Sequence, residues 1–207
     1  MRRLVQLYAG LVVFGVSMAM VVRSELGNIP WDVLHQGVAT SSGLSFGTVT
    51  VLTGVVVLLL WIPLRERPGL GTVSNVLVIG VAVDVALAVL PDLVPDGGDP
   101  RWAPRVALFA AGVALNAAST AAYIGSRFGA GPRDGLMTGF HRRTGASIRL
   151  VRTVIEVVVV LVGWALGGVF GVGTVVFALA IGPLVQWFLP RLSVPDLPGP
   201  AEGTPAT

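Results

Sequence analysis

An all-α polytopic membrane protein with an internal repeat is the fold class that the sequence predicts, and three observations support it. Hydrophobic residues make up 54% of the chain and charged residues only 12%, with a mean hydropathy of +0.82, which is far from the composition of a soluble domain. Apolar runs of about 20 residues, the length that crosses a bilayer, occur six times. The chain also aligns with itself at a displacement of 102 residues.

The six predicted spanning helices cover residues 4–22, 46–64, 72–90, 105–124, 148–166 and 173–190. Arg2 and Arg3 precede the first run as in a secretory signal, but no small-residue cleavage site follows a short apolar core, so we interpret the run as a retained helix. Residues 1–207 are predicted to form a single membrane domain. Its tail, about residues 193–207, is rich in proline and is expected to be a disordered cytoplasmic extension.

Matched helix-breaking residues are stronger evidence for the internal repeat than matched apolar residues. Residues 10–84 align without gaps with residues 112–186, and 25 of the 75 pairs are identical. Valine and leucine matches inflate such a count in a membrane chain, so the weight falls on the matched glycine, proline and aspartate residues. These pairs include Gly27/Gly129, Pro30/Pro132, Asp32/Asp134, Gly43/Gly145 and Gly71/Gly173. Repeat one covers about residues 4–90 and repeat two about 105–190.

The number of crossings and the positions of the charges set the predicted orientation of the repeats. Each repeat contains three spanning helices, an odd number, so the second copy is inverted relative to the first. Most arginines then fall on the side of both termini, which the positive-inside rule assigns to the cytoplasm; Arg23, Arg101 and Arg105 are exceptions. A parallel repeat of four crossings would place Arg65 and Arg67 outside, against this bias.

Two short helices, about residues 30–40 and 132–143, are predicted to begin at Pro30 and Pro132, since proline suits the first helical position. Such helices rise only about 17 Å, too little for a hydrocarbon core of about 30 Å. They are either re-entrant half-helices whose N-termini meet at a central site or amphipathic helices that lie flat at opposite surfaces. Matching proline and glycine interruptions in both halves favour the re-entrant arrangement.

Carboxylates at the tips of the short helices are the first candidates for binding a solute or a coupling ion. Asp32 and Asp134 lie in the first helical turn, where unpaired N–H groups and the helix dipole favour a carboxylate. A carboxylate at such a tip can also bind a cation, an amine or a proton. Pro30, Pro132 and Arg133, at the same helix tips, are also candidates for binding the solute or ion. Neither the repeat nor helix capping explains the presence of Arg133.

Charged residues inside the predicted spans are further candidates. Asp84 lies about 10 Å from the outer end of its helix. Arg152 and Glu156 are four residues apart on one helical face. Two interpretations stay open: a local ion pair that lowers the cost of burial, or, together with Arg149, the lining of a cytoplasmic vestibule. Repeat one has uncharged residues at the positions equivalent to Arg149, Arg152 and Glu156, so this set breaks the internal symmetry.

Motifs for catalysis and cofactor binding are absent from the sequence. The chain has no cysteine, which excludes disulfides and thiolate chemistry. His35 and His141 show no metal-ligand spacing, and no Walker A, H-E-x-x-H or G-x-S-x-G sequence occurs. The fourteen basic residues are arginines scattered at helix ends, which does not indicate nucleic-acid binding. We therefore predict no enzymatic activity, no catalytic residue, no cofactor and no metal site.

Four sequence elements together resemble the YczE/YyaS-type integral membrane proteins of bacteria, a group placed loosely with the YitT family. These elements are Pro30-Trp31-Asp32-Val33-Leu34, Gly129-Ala130-Gly131-Pro132-Arg133-Asp134-Gly135-Leu136-Met137, Arg152 to Glu156, and Gly171 to Thr174. The resemblance covers about residues 4–190. It implies a small multi-pass protein of the bacterial cytoplasmic membrane, and it supplies no catalytic or binding residues to transfer.

Two functions from different classes stay open at this point. The first is a secondary transporter or permease for a small polar or cationic solute, with its site between the inverted repeats. The second is a non-transporting membrane scaffold or regulatory protein. The predicted partners are the lipid bilayer and a small-molecule or ion solute, and homo-oligomerisation is left open. A polar cavity between the short helices would favour the transporter, and a closed, dry bundle would favour the scaffold.

Overall fold

Eight α-helices build the part of the chain that the computed structural model describes, residues 1–92 and 102–194. They are α1 (Arg2–Ser24), α2 (Pro30–Ser42), α3 (Phe46–Leu64), α4 (Leu70–Val89), α5 (Trp102–Gly125), α6 (Pro132–Thr144), α7 (Ile148–Ala165) and α8 (Val172–Leu192). Those residues contain no strand. Arg101 and most of the predicted tail lie outside the described residues.

Five of the described helices, α1, α3, α4, α5 and α8, are long and apolar enough to cross a membrane. The predicted helical membrane protein is therefore confirmed. The remaining predicted span corresponds to α7, which has 18 residues but carries Arg149, Arg152 and Glu156. Five predicted spans thus have both the length and the hydropathy of a crossing helix, and α7 has the length with a charged face.

The short helices begin at the predicted residues but end slightly later than predicted. Both α2 and α6 contain 13 residues, and both begin with the predicted prolines, Pro30 and Pro132. Each ends at a glycine in the left-handed conformation, Gly43 at φ 73° and Gly145 at φ 70°, which glycine adopts without a Cβ penalty. Both helices are one or two residues longer than predicted.

The helices pack as two groups of four. Helices α1, α4, α5 and α8 form the first group, in which α1 packs against α4 and α5, and α5 against α8; Leu11, Met18 and Val113 lie in its core. Helices α2, α3, α6 and α7 form the second, around Trp61 and Leu136. Packing of α3 on α4 joins the groups. Each group therefore contains two helices from each half of the chain.

Arginine side chains close the ends of two long helices by bonding to terminal carbonyl oxygens. Arg105 is only 7% exposed, and its Nε donates to the Ser24 oxygen at the end of α1 at 2.7 Å. At the opposite end of the same pair of helices, Arg3 Nε donates to the Ser126 oxygen at 3.1 Å, just after α5. Arg105, an exception to the positive-inside pattern, thus satisfies carbonyl groups that the helix leaves unpaired.

Candidate functional site at the tips of the short helices

Extended arms lead into both short helices and hold their tips in place. Gly27 and Gly129 lie in these arms at φ 121° and 119°, which side-chain-bearing residues rarely adopt. Two backbone hydrogen bonds hold the arms, from Gly173 N to the Leu26 oxygen at 2.7 Å and from Gly71 N to the Phe128 oxygen at 2.9 Å. Each arm is therefore fixed to the first turn of a long helix from the other half of the chain.

Glycines and one tryptophan seat the short helices against their neighbours. Gly163 of α7 lies so close to α2 that a Cβ there would collide with the backbone of Leu34. In the same way, a Cβ on Gly135 of α6 would collide with the Trp61 ring of α3. Trp61 Nε1 also donates to the Pro132 oxygen at 3.0 Å. Hence α2 is held on α7 and α6 on α3.

A cavity of about 350 Å³ lies between the two helix groups and receives the tips of both short helices. Pro30 and Trp31 reach it from α2, and Pro132, Arg133 and Asp134 reach it from α6. Helices α3, α4, α5, α7 and α8 contribute polar residues to its lining, among them Thr53, Asn75, Thr120, Arg152, Glu156 and Gln186. The tips that the sequence singled out are therefore brought together, and polar groups face the space between them.

Asp32 is a fully buried carboxylate that contacts His35 on its own helix and Arg133 on α6. Its side chain is 0% exposed, and Oδ1 lies 3.2 Å from His35 Nδ1 and 3.6 Å from Arg133 Nη2. Thr50 Oγ1 lies 3.3 Å from the same His35 nitrogen and donates to the Phe46 oxygen at 2.9 Å. Because the hydroxyl proton is thus used, His35 Nδ1 can donate to Asp32 while the imidazole is neutral. Within residues 1–92 and 102–194, Asp32 Oδ2 has no hydrogen-bond partner.

Arg133 links the two tips, which explains the residue that the sequence pattern left unexplained. Its guanidinium lies 5.0 Å from the centre of the Trp31 ring, a cation–π distance. From there it reaches Asp32 while its side chain stays 26% exposed. Trp31 itself is buried, and its Nε1 has no partner in the described part of the chain. Nothing in the sequence indicated that Trp31 and Arg133, which are 102 residues apart, would touch.

Asp134 occupies the position equivalent to Asp32 but is exposed in the cavity. Its Oδ2 accepts a hydrogen bond of 2.8 Å from the Tyr123 hydroxyl. Among the described residues it forms no ion pair, since no arginine or histidine nitrogen lies within 4 Å of it. Sequence reasoning missed Tyr123. The available signal was the replacement of Val21, its repeat equivalent, by a residue with a hydroxyl group.

Arg152 and Glu156 form an ion pair and also line the cavity. Arg152 Nε lies 2.8 Å from Glu156 Oε1, one turn along α7. The local ion pair of the first interpretation is therefore present, and both of its residues also face the cavity. Arg149, in the first turn of α7, is exposed and is not one of the residues that line the cavity.

Asp84 lies away from the cavity lining and caps the N-terminus of α3 instead. Its Oδ2 accepts from Ser45 Oγ at 2.6 Å and its Oδ1 from Gly47 N at 2.6 Å. A carboxylate is favoured at this position because the first N–H groups of a helix have no partner within the helix. Asp84 thus holds α4 against the start of α3.

Comparison with known proteins places the chain in a family. Residues 1–190 match the model of a family of unknown function, DUF6198. The chain belongs to this family. An uncharacterized protein of Haemophilus influenzae is 39% identical over 195 residues, covering 91% of this chain and 84% of the relative. The uncharacterized membrane protein YczE of Bacillus subtilis is 30% identical over 187 residues, covering 89% and 84%.

A third relative, the uncharacterized protein YyaS of Bacillus subtilis, is 24% identical over 182 residues, covering 87% of this chain and 89% of the relative. The predicted resemblance to YczE- and YyaS-type proteins is therefore confirmed. Family membership and the five apolar helices agree on a membrane location. No solved structure matches the chain. Within the described residues, no cluster of three histidine or acidic side chains could hold a metal ion.

Proposed function

We propose that the protein is a secondary transporter or permease for a small polar or cationic solute. The observation that carries this proposal is the meeting of both short-helix tips at an internal cavity of about 350 Å³ with charged walls. Sites for small molecules have volumes of about 300–1,000 Å³. Ionisable groups inside a membrane domain are costly, and those that face an internal cavity mark solute or ion pathways. A closed, dry bundle would instead have favoured a scaffold.

An inverted three-plus-three repeat accounts for the positions of the helices. The starts of α2, α3 and α4 recur in α6, α7 and α8 at a displacement of 102 residues. Hydrogen bonds recur in reciprocal form at the same displacement, because Arg3 bonds to Ser126 while Arg105 bonds to Ser24. Reciprocal bonds of this kind are expected when two copies are related by a two-fold axis. Such inverted repeats are common among secondary transporters.

Helix α7 is the sixth span in this arrangement. Leu150, Val154 and Leu161 form an exposed apolar stripe on it, as a helix that faces lipid would show. Arg152 and Glu156 lie on the other side of α7 and line the cavity. Apart from Arg149 in its first turn, the charged residues of α7 face the cavity, and such a helix can cross a bilayer at acceptable cost.

The short helices act as re-entrant half-helices. The first turn of α2, from Pro30 to Val33, is buried, and so is Pro132 at the tip of α6. Interfacial helices would expose one face to headgroups along their length. Tips that are buried in protein and line a cavity are typical of the discontinuous helices of transporters. Extended backbone is tolerated at membrane depth where it lies against protein or lines a cavity.

The two sides of the molecule differ in a way that fits alternating access. Helices α3 and α4 are in close contact, since a Cβ on Gly47 would collide with the Gly80 oxygen. At the equivalent position of α8, a Cβ on Gly182 would meet nothing within 4 Å. Helix α7 does not pack on α8 as α3 packs on α4. The open space at Gly182 lies in the half of α8 that leads to Leu192, whose oxygen accepts from Gln6 Nε2 near the start of α1, and therefore towards the end of the molecule where α1 begins and α8 ends. With both termini cytoplasmic, in a bacterial inner membrane, the molecule would be in an inward-open state.

Cysteine substitution tests this function directly, because the native chain contains no cysteine. Thr120→Cys places a thiol in the cavity wall, and Val81→Cys places one on a lipid-facing surface of α4 that is 65% exposed. In proteoliposomes, a charged membrane-impermeant thiol reagent should modify the cavity cysteine and spare the lipid-facing one. Modification should also stop uptake of the transported solute, found by screening small amines and neutral polar solutes.

Carboxylate variants complete the test. Asp32→Asn and Asp134→Asn are each expected to abolish the uptake while the folded protein is still obtained. If no solute in the screen is taken up and the Thr120→Cys thiol resists the reagent from both sides, the cavity is closed to water. The transporter would then be abandoned in favour of the scaffold.

A further inference from the structure

The charges around the cavity do not balance. Arg133 is paired with Asp32 at 3.6 Å and Arg152 with Glu156 at 2.8 Å. Asp134 is a third acid in the same place, and no cationic side chain in the described part of the chain pairs with it. With His35 neutral, the site therefore carries one negative charge in excess. Inside a membrane domain an unpaired charge is costly, so a cationic ligand would be stabilised there.

Asp134 is available to a ligand in a way that Asp32 is not. Asp32 is 0% exposed and is already held by Arg133 and His35. Asp134 is exposed in the cavity, and its one hydrogen bond within the described residues, from Tyr123, goes to Oδ2. Its Oδ1 is left to accept a bond from a donor on a ligand. The Tyr123 hydroxyl also fixes the direction of the carboxylate.

Aromatic and apolar walls around Asp134 suit an organic cation better than a metal ion. Phe14, Trp31 and Phe177 line the cavity together with Tyr123. A bound Ca²⁺ or Mg²⁺ needs six or more oxygen ligands at about 2.0–2.6 Å, whereas the described residues contain no group of three acidic or histidine side chains close enough for a metal. Hydrocarbon attached to an ammonium group would bury itself against these walls.

A buried polar group without a partner lies beside the same wall. Trp31 is 5% exposed and lines the cavity, yet its Nε1 has no hydrogen-bond partner within residues 1–92 and 102–194. Buried donors in proteins are almost always paired. This nitrogen is itself closed to water, so Trp31 contributes the surface of its ring, rather than its N–H group, to the cavity.

We infer that the cavity binds a small organic ammonium ion, with the Asp134 carboxylate as its counter-charge and the Tyr123 hydroxyl as the group that orients the carboxylate. This inference rests on the proposed function, since it names the class of solute that the transporter would take. An ammonium N–H would donate to Asp134 Oδ1, and the attached alkyl group would contact the aromatic wall. Arg133 is neutralised by Asp32 and would not repel the cation strongly.

Binding to three probes of equal size separates the effect of charge from that of shape. Propylammonium, 1-propanol and propionate would be titrated into the purified wild-type protein in detergent, with binding followed by isothermal calorimetry. Propylammonium is expected to bind at least about tenfold more tightly than the other two, because a charge-assisted hydrogen bond in a shielded site is strong. Tighter binding of propionate would overturn the inference.

Variants locate the site. Asp134→Asn should weaken propylammonium binding by about tenfold or more, and Tyr123→Phe by a smaller factor of about three to ten. Glu25→Gln is the matched control, because it removes an exposed carboxylate outside the cavity lining and should leave the affinity unchanged. Gel filtration and the melting temperature establish that each variant is folded. Unchanged affinity in folded Asp134→Asn would refute the site.

The binding assay and the transport assay can fail separately. Propylammonium binding that depends on Asp134, without any uptake into proteoliposomes, would uphold the site and remove the transporter. Uptake of neutral or anionic solutes through the cavity, with no preference for propylammonium and no effect of Asp134→Asn, would uphold the transporter and remove the ammonium site.

Discussion

Breaking the ion pair between the two short-helix tips should destabilise the protein strongly. Arg133→Gln would leave the Asp32 carboxylate, which is 0% exposed, with His35 as its polar side-chain partner. At 3.6 Å and an effective dielectric constant of about 20, the attraction is about 4.6 kcal/mol. Removing one partner of a buried pair typically costs about 3–5 kcal/mol. Because Arg133 is partly exposed to the cavity, we expect a loss of about 3 kcal/mol in the free energy of unfolding.

A double-mutant cycle measures the interaction itself. Unfolding of the wild type, Asp32→Asn, Arg133→Gln and the double variant would be followed by tryptophan fluorescence in detergent micelles with rising denaturant, after a test for two-state behaviour. The losses of unfolding free energy in the two single variants should add up to more than the loss in the double variant. The difference, which is the coupling energy, should be about 2 kcal/mol. Additivity within about 0.5 kcal/mol, as for independent sites, would refute the pairing.

Arg152→Gln is the matched control for this cycle. Arg152 forms its pair with Glu156 on a single helix, and its side chain is 49% exposed. Pairs of this kind contribute about 0.5 kcal/mol or less. A loss in Arg152→Gln as large as that in Arg133→Gln would show that removal of any cavity arginine, rather than the link between the tips, lowers the stability.

Two further predictions concern helix packing and can be checked by melting temperature. Gly163→Ala should lower the free energy of unfolding by about 1–3 kcal/mol, because the new Cβ would collide with the backbone of Leu34. Gly182→Ala, whose Cβ would point into open space, should be neutral or slightly stabilising. Equal effects of the two substitutions would contradict the packing of α2 on α7. Asp84→Ala should cost about 1–2 kcal/mol by uncapping α3, and Gln186→Ala, at the equivalent position of α8, should cost less than half as much.

Helix positions were predictable because the signals that set them act locally. The predicted span 46–64 coincides with α3 (Phe46–Leu64), and Pro30 and Pro132 start the short helices as proposed from their fixed φ angle and missing N–H group. Ends were harder to predict. Both α2 and α6 continue to a left-handed glycine, and the helix pattern before that glycine shows no residue that would stop it earlier.

The membership of the candidate site could be predicted only in part. Asp32, Arg133 and Asp134 were recognised because polar residues inside an apolar chain are rare and costly. Tyr123 was missed, because an aromatic residue near a helix end is an ordinary feature of a membrane protein. Asp84 was included on the same polarity argument, but its partners, close to the start of α3, lie 37 and 39 residues earlier in the chain.

The sequence by itself determined that this is a helical membrane protein with two proline-started helices whose first residues are 102 positions apart. Hydropathy, backbone restrictions and repetition are properties of neighbouring residues, so no distant contact is needed to read them. Only the tertiary structure decided that Asp32 is buried beneath Arg133 while its equivalent, Asp134, faces the cavity. That difference depends on which helices meet and how each is rotated, because the interacting side chains lie about a hundred residues apart.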